Sequence, residues 1–140
     1  MPPTTSSAGL VSLDLPYRAE SVSAARRLVR AQLAAWGLDQ LVDDAQLVVS
    51  ELVTNAAKTG CRLCMKVEVE RLDEVAVRIR VTDGCLVLPI LVQADAQAEG
   101  GRGIALVDRL THGRWGADLL PDGKTVHAEL GVPTPSQPGP

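Results

Sequence analysis

The chain has 140 residues, of which 46% are hydrophobic, so we expect a single domain with one substantial core. Its formal net charge of -3 and its pI of ≈ 5.3 argue against a direct nucleic-acid binder, which normally carries a basic face. No apolar run approaches the roughly 20 residues that cross a bilayer, and residues 1–10 lack the blocks of a signal peptide, so we expect a cytoplasmic protein without membrane contact.

Both ends of the chain are rich in Pro, Ser, Thr and Gly. This composition predicts a flexible segment at residues 1–10, a flexible tail at residues 133–140, and one folded domain at residues 11–132 between them. The three cysteines, an odd number, do not suggest a disulfide framework.

The first predicted elements are a strand and two helices. Residues 13–17 fit a short edge strand. Apolar residues recur at helical spacing over residues 21–36, and Gly37 supplies a stop, so this segment predicts an amphipathic helix. A second amphipathic helix is predicted from about residue 41 to residue 58. The arginines of the first helix are expected to form a solvated face, with partner docking as the alternative: Arg26, Arg27 and Arg30.

Strands dominate the second half of the chain, where apolar and polar residues alternate as they do in a sheet with one wet face. The predicted elements there are a strand at 63–70, a turn around 72–74, a strand at 75–82, a helix at about 103–110, and strands at 114–119 and 125–130. Helices on one side of a mostly antiparallel, mixed sheet make a two-layer α/β sandwich, which is the fold that we predict.

The second helix carries a carboxylate and a carboxamide four residues apart, at Glu51 and Asn55. Four residues make about one helical turn, so both side chains project from one flank. Asn is a poor residue for a helix interior because its amide competes for backbone hydrogen bonds. An amide oxygen suits Mg²⁺, and Glu51 could then deprotonate an attacking hydroxyl. The alternative is a pair that simply faces solvent.

Asp83 is the second candidate, because counting by twos from Val75 places its carboxylate on the apolar face at the end of a strand. A buried carboxylate is costly unless hydrogen-bond donors satisfy it, and the exocyclic amine of adenine is a suitable donor. The alternative is that the strand ends at Thr82 and that Asp83 opens a turn with Gly84.

Glycines at the start of the third helix are the third candidate. Gly100, Gly101 and Gly103 flank Arg102 and precede an apolar run. Glycines let the backbone approach a ligand closely, and the amides of a helix start attract phosphate. The pattern is neither a Walker loop nor a dinucleotide fingerprint. The alternative is a flexible hinge before the helix.

In this order, the three patterns resemble the motif boxes of the GHKL ATPase superfamily, which includes gyrase, a heat-shock chaperone ATPase, histidine kinases and a mismatch-repair ATPase. More closely, the chain resembles the single-domain anti-sigma factor serine/threonine kinases and their actinobacterial relatives. The resemblance covers about residues 13–130. The matching boxes are the N box at 50–56, the first glycine box at 81–89, the second glycine box at 100–107, and the closing hairpin with Trp115, Gly116 and residues 123–130.

The resemblance implies ATP and Mg²⁺ as cofactors, and a sigma factor and an anti-anti-sigma protein as partners; it leaves a homodimer possible. Glu51 matches the general base, and Asn55 matches the magnesium ligand. Asp83 matches the residue that accepts a hydrogen bond from the adenine amine. The phosphates would be held by the second glycine box: Gly101, Arg102 and Gly103. Residues 84–100 would form a lid.

The chain departs from the family pattern at the first glycine box and in the last strand. Cys85 and Val87 stand where the family has glycine, and their side chains could crowd the base or stiffen the lid. The family often places a Thr near the base. Thr125 is the obvious candidate, but alternation puts Lys124 on the face shared with Val126 and Ala128.

Two functions from different classes follow from these patterns. The leading one is a magnesium-dependent ATP-binding protein that phosphorylates Ser or Thr of a partner and sequesters a sigma factor. Because Cys85 and Val87 put nucleotide affinity in doubt, the alternative is a non-catalytic, protein-binding regulator with weak or absent nucleotide binding. A zinc site is a third alternative, prompted by Cys61 and Cys64 with Cys85, His112 or His127.

Overall fold

A computed structural model of the protein describes residues 4–6, 9–58, 64–84, 99–121 and 123–132. In chain order, its elements are β1 (Thr4–Ser6), β2 (Leu10–Pro16), α1 (Glu20–Ala35), a 3-10 turn (Asp39–Leu41), α2 (Val42–Lys58), β3 (Cys64–Asp73), β4 (Ala76–Asp83), α3 (Glu99–Leu110), β5 (Trp115–Leu120) and β6 (Gly123–Gly131).

The described strands form one six-stranded sheet in the order β1-β2-β3-β4-β6-β5. All of its neighbouring strands run antiparallel, where the sequence predicted some parallel pairing. The strand predicted at the sheet edge is β2, which lies between β1 and β3, so the edge prediction was wrong. The short β1 lies inside residues 1–10, for which the sequence analysis predicts flexibility.

One face of the sheet carries the core, because alternate strand residues are apolar and point toward the helices. Val67, Ile79 and Ala128 are fully buried, as are Val49 and Val53 of α2. The two-layer α/β sandwich is therefore confirmed. Within the described residues, no helix has both the length and the apolar character that crossing a membrane requires.

The opposite face of the sheet is polar and lined by ion pairs. Arg78 contacts Glu129 at 2.8 Å across β4 and β6, and Arg80 contacts Glu70 at 2.7 Å across β4 and β3. These side chains are about one third exposed, so the pairs contribute little to stability. The alternation in the two central strands thus separates a dry face from a wet one, as predicted.

Two element ends differ from the predictions for local reasons. The turn between β3 and β4 lies at Glu74 and Val75, because the Asp73 carboxylate accepts the Val75 N–H at 2.8 Å and starts a turn there. Helix α3 begins at Glu99, four residues before the predicted start. By contrast, Gly37 ends α1 as predicted, with a φ of 73° that favours glycine.

The arginines of α1 are not all solvated, which corrects the prediction for Arg26. Arg27 and Arg30 are exposed, but Arg26 is half-buried and donates from Nη1 to the Ser50 Oγ of α2 at 2.7 Å. The Gln46 side chain donates back to the Arg26 carbonyl oxygen at 3.1 Å. Arg26 therefore joins α1 to α2 directly beside Glu51.

Candidate functional site

Glu51 and Asn55 lie one turn apart on α2, as their spacing predicts, and both are half-buried. They border the buried stripe that contains Leu52 and Ala56. The alternative of a solvent-facing pair does not describe Glu51, because its carboxylate packs against the start of α3.

The contact between Glu51 and α3 occurs at Gly103. A Cβ placed on Gly103 would overlap Glu51 Oε1 and would lie 3.4 Å from the carboxyl carbon. Only the absence of a side chain at this position therefore lets the helix approach the carboxylate so closely. The structure thus brings together two of the predicted motifs, the carboxylate of the N box and a glycine of the second glycine box.

Gly101 and Arg102 belong to the first turn of α3. The predicted hinge before the helix is therefore wrong for these positions, since the helix already includes them. The first four backbone N–H groups of any helix have no partner within the helix, and these groups carry partial positive charge. The second glycine box thus presents backbone donors at the same end of α3 where Glu51 packs.

Asp83 is the last residue of β4, and only 5% of its surface is exposed. It lies on the same side of the strand as Val77, Ile79 and Val81, so the predicted inward direction is confirmed. The alternative, in which the strand ends at Thr82, is wrong. A carboxylate buried this deeply needs donors around it.

Lys124 supplies such donors from within the chain. Its ammonium Nζ lies 3.2 Å from Asp83 Oδ1 and 3.0 Å from Oδ2, and both side chains are only 1% exposed. The two residues are direct cross-strand partners of β4 and β6. This partner was missed by the sequence analysis, although alternation had already placed both residues on the inner faces of their strands.

Two contacts hold the backbone around the Asp83–Lys124 pair. A Cβ on Gly123 would overlap the Asp83 carbonyl oxygen, so this glycine allows β6 to begin directly against the end of β4. The Gly84 N–H donates to the Tyr17 hydroxyl oxygen at 3.2 Å. The buried pair therefore sits where three separate parts of the chain meet.

Thr125 lies on the other face of the sheet. Its hydroxyl is 2.9 Å from the hydroxyl of Thr82, its cross-strand partner on β4. This agrees with the alternation argument, which kept Thr125 out of the predicted base site and put Lys124 on the inner face.

The two ends of the predicted nucleotide site fit their ligand differently. At the phosphate end, Asn55 offers an amide oxygen of the kind that Mg²⁺ accepts, and the first turn of α3 offers backbone N–H groups. At the base end, Asp83 has the right chemistry to accept an amine, but it already receives hydrogen bonds from Lys124. The phosphate end therefore fits magnesium and nucleotide, and the base end fits only in part.

The residues of the alternative zinc site are partly outside the described part of the chain, because Cys61 and Cys85 lie there. Cys64 is exposed, and His127 faces Asp118 across the sheet at 3.9 Å. Among the described residues, no group of three metal-binding side chains comes together. The first glycine box beyond Gly84, including Cys85 and Val87, also lies outside the described residues.

A search of the curated proteins finds no match to this chain. A family model described as the histidine kinase-like ATPase domain matches residues 15–126, which is well over half of the chain. The matched segment contains Glu51, Asn55, Asp83, Gly103 and Lys124, and the match supports the resemblance to the GHKL superfamily. The chain therefore belongs to the family of histidine kinase-like ATPase domains.

Proposed function

We propose that the protein is a magnesium-dependent, ATP-binding regulator of the anti-sigma factor type, which phosphorylates a Ser or Thr of a partner protein. The observation that carries the proposal is the Glu51 carboxylate, held against Gly103 and one helical turn from Asn55. In this proposal, the base, the magnesium ligand and the phosphate-binding helix start are therefore close to one another. Phosphoryl transfer depends mainly on such positioning and on charge neutralisation.

Each residue of this group has a separate role in the proposal. Glu51 accepts the proton of the attacking hydroxyl, and the contact with Gly103 fixes where its carboxylate stands. Asn55 holds magnesium through its amide oxygen. The N-terminal part of α3, with Gly101, Arg102 and Gly103, binds the phosphates. Bound Mg-ATP supplies the phosphoryl group that is transferred.

The proposed partners are an anti-anti-sigma protein as phosphate acceptor and a sigma factor as the sequestered protein. Support for these classes comes from the resemblance to anti-sigma factor kinases at the N box and the second glycine box. A homodimer is part of the same proposal. Pull-down from the native cell, followed by identification of the bound proteins, tests the partner classes directly.

Replacement of the base tests the chemistry. We expect Glu51→Gln to lower phosphate transfer to the recovered partner by about 100- to 10,000-fold, because general-base assistance is lost. Mg-ATP binding should stay within a few fold of the unchanged protein. The measurement is transfer of labelled phosphate, together with a nucleotide titration.

A matched control for Glu51→Gln is Glu74→Gln, because Glu74 lies exposed in the turn between β3 and β4. This variant should transfer phosphate at the normal rate. Unchanged transfer in Glu51→Gln would remove Glu51 from the mechanism and leave the kinase proposal without its base.

A second candidate function is a non-catalytic regulator that holds its partner without using nucleotide. The observation that favours it is the buried contact of Asp83 with Lys124, which gives the carboxylate a donor from within the chain. Trp115 gives a signal for the decisive titration, because its indole N–H donates to Asp108 of α3 at 2.8 Å and so reports on that helix. Partner capture without any saturable response to Mg-ATP would favour this second function.

A further inference from the structure

We propose that Lys124 determines the base selectivity of the nucleotide site, an inference that rests on the nucleotide binding proposed above. By compensating the charge of the Asp83 carboxylate, Lys124 weakens the hydrogen bond that Asp83 accepts from the exocyclic amine of adenine. The site then accepts purine nucleoside triphosphates whether or not they carry that amine.

The first support is geometric. Asp83 and Lys124 are cross-strand partners, so their backbones hold the two side chains opposite each other at the inner end of β4 and β6. The ammonium reaches both carboxylate oxygens, at 3.2 Å and 3.0 Å. Both side chains are only 1% exposed. Water is therefore a poor substitute for either partner.

The second support is the relative strength of the competing donors. The ammonium attracts the Asp83 carboxylate through its full charge as well as through hydrogen bonds, whereas the amine of a purine is neutral and offers a hydrogen bond alone. A base that took Asp83 away from Lys124 would leave a buried ammonium without its counter-ion, which is strongly unfavourable. The pair therefore persists when a nucleotide enters. Because the ammonium compensates its charge, the carboxylate then accepts a weaker hydrogen bond from the amine than an unpaired carboxylate would.

The third support is the position of the neighbouring threonine. Thr125 points to the opposite face of the sheet, where its hydroxyl contacts Thr82 at 2.9 Å. No other residue of β6 stands opposite Asp83, because the cross-strand partner there is Lys124. The residue at position 124 thus sets which side chain stands directly across the sheet from Asp83.

The experiment compares two ligands, ATP and purine riboside triphosphate, which lacks the exocyclic amine. Both are titrated with magnesium, by calorimetry, into the unchanged protein and into Lys124→Thr. We expect the unchanged protein to bind the two ligands within about threefold of each other. In Lys124→Thr, the amine gains a hydrogen bond to a charged acceptor, so ATP should bind at least about tenfold more tightly than the analogue.

Loss of the ammonium could also prevent Lys124→Thr from folding, so Lys124→Gln serves as a second variant. The amide of this variant fills the space beside Asp83 and is a neutral hydrogen-bond donor. It therefore competes with the purine amine as one neutral donor with another. We expect a preference for ATP between those of the unchanged protein and Lys124→Thr. The comparison of the two ligands in the unchanged protein needs no variant and tests the proposal by itself.

The outcomes separate this inference from the nucleotide proposal. A tenfold or greater preference for ATP in the unchanged protein, or equal preferences in all three proteins, would overturn the role of Lys124 and leave nucleotide binding intact. Failure of both ligands to bind any of the proteins would overturn the nucleotide site itself, and the inference with it.

Discussion

The two ends of the predicted nucleotide site are built from different kinds of contact. At the phosphate end, a half-buried Glu51 carboxylate packs against a glycine that has no side chain. At the base end, the fully buried Asp83 carboxylate is held by a buried ammonium from the next strand. One end packs its acid against a glycine, and the other pairs its acid with a lysine.

This difference teaches that a motif residue can keep its expected position while a neighbouring side chain pairs with the group that would contact a ligand. Asp83 points inward, as the sequence predicts, but its carboxylate contacts the ammonium of Lys124. Glu51 also keeps its predicted position on α2, and its carboxylate packs against Gly103. Substitutions at the two ends should differ in their effect on the free energy of unfolding, and they are taken from the largest expected change to the smallest.

Removing the carboxylate of the buried Asp83–Lys124 pair should produce the largest loss of stability. We expect Asp83→Ala to lower the free energy of unfolding by about 3–5 kcal/mol, because the Lys124 ammonium is left buried without its counter-ion. Urea denaturation measures the loss. The Asp83→Ala, Lys124→Met double variant is the matched control.

The double variant should regain at least half of that loss, because replacing both partners by apolar groups removes the unpaired charge. If single and double variants were equally destabilised, the loss would come from packing at position 83 and not from the charge of Lys124.

The close contact between Gly123 and the Asp83 backbone should have a smaller effect on stability. We expect Gly123→Ala to cost about 1–3 kcal/mol, because its Cβ would overlap the Asp83 carbonyl oxygen, a main-chain atom that cannot swing aside. Gly131→Ala is the control at the other end of the same strand. A Cβ there meets its nearest atom, the Val75 carbonyl oxygen, at an ordinary 3.6 Å, so its effect should stay within about 0.5 kcal/mol. Equal losses in both variants would contradict the steric argument.

The phosphate end should respond in activity more than in stability. In Gly103→Ala, the new Cβ meets the far end of the flexible Glu51 side chain, which can rotate away, so unfolding should change by no more than about 1 kcal/mol. The displaced carboxylate should lower phosphate transfer by about 10- to 100-fold. Thermal unfolding and transfer assays measure the two effects.

A Glu51→Gln background provides the control for Gly103→Ala. If the glycine acts by placing the Glu51 carboxylate, adding Gly103→Ala to Glu51→Gln should cause no further loss of transfer. Additive losses would assign Gly103 a separate role, such as direct phosphate binding.

The sequence predicted most of the elements because their patterns are local. Alternation in β3 and β4 identified the dry and wet faces, and it also placed Asp83 and Lys124 on the inner side. Helical spacing placed Glu51 beside Asn55 on α2. Each of these predictions needed only residues that are close along the chain.

The contacts that build the site join residues on different elements, and local sequence patterns could not predict them. Asp83 meets Lys124 only because β6, and not β5, pairs with β4 in a given register, across a sequence separation of 41 residues. The contact of Glu51 with Gly103 likewise depends on how α3 packs on α2. Periodicity gives the direction of a side chain, but it does not give the neighbour on another element.

The order of the strands has an evolutionary consequence. Because β4 and β6 are hydrogen-bonded neighbours, main-chain pairing holds positions 83 and 124 opposite each other, whatever side chains the two positions carry. Substitutions at these two positions can change the chemistry at this end of the site while the backbone that presents them keeps its register. Descendants of this chain can therefore inherit the strand register unchanged and still differ in the pair of side chains that it sets opposite each other.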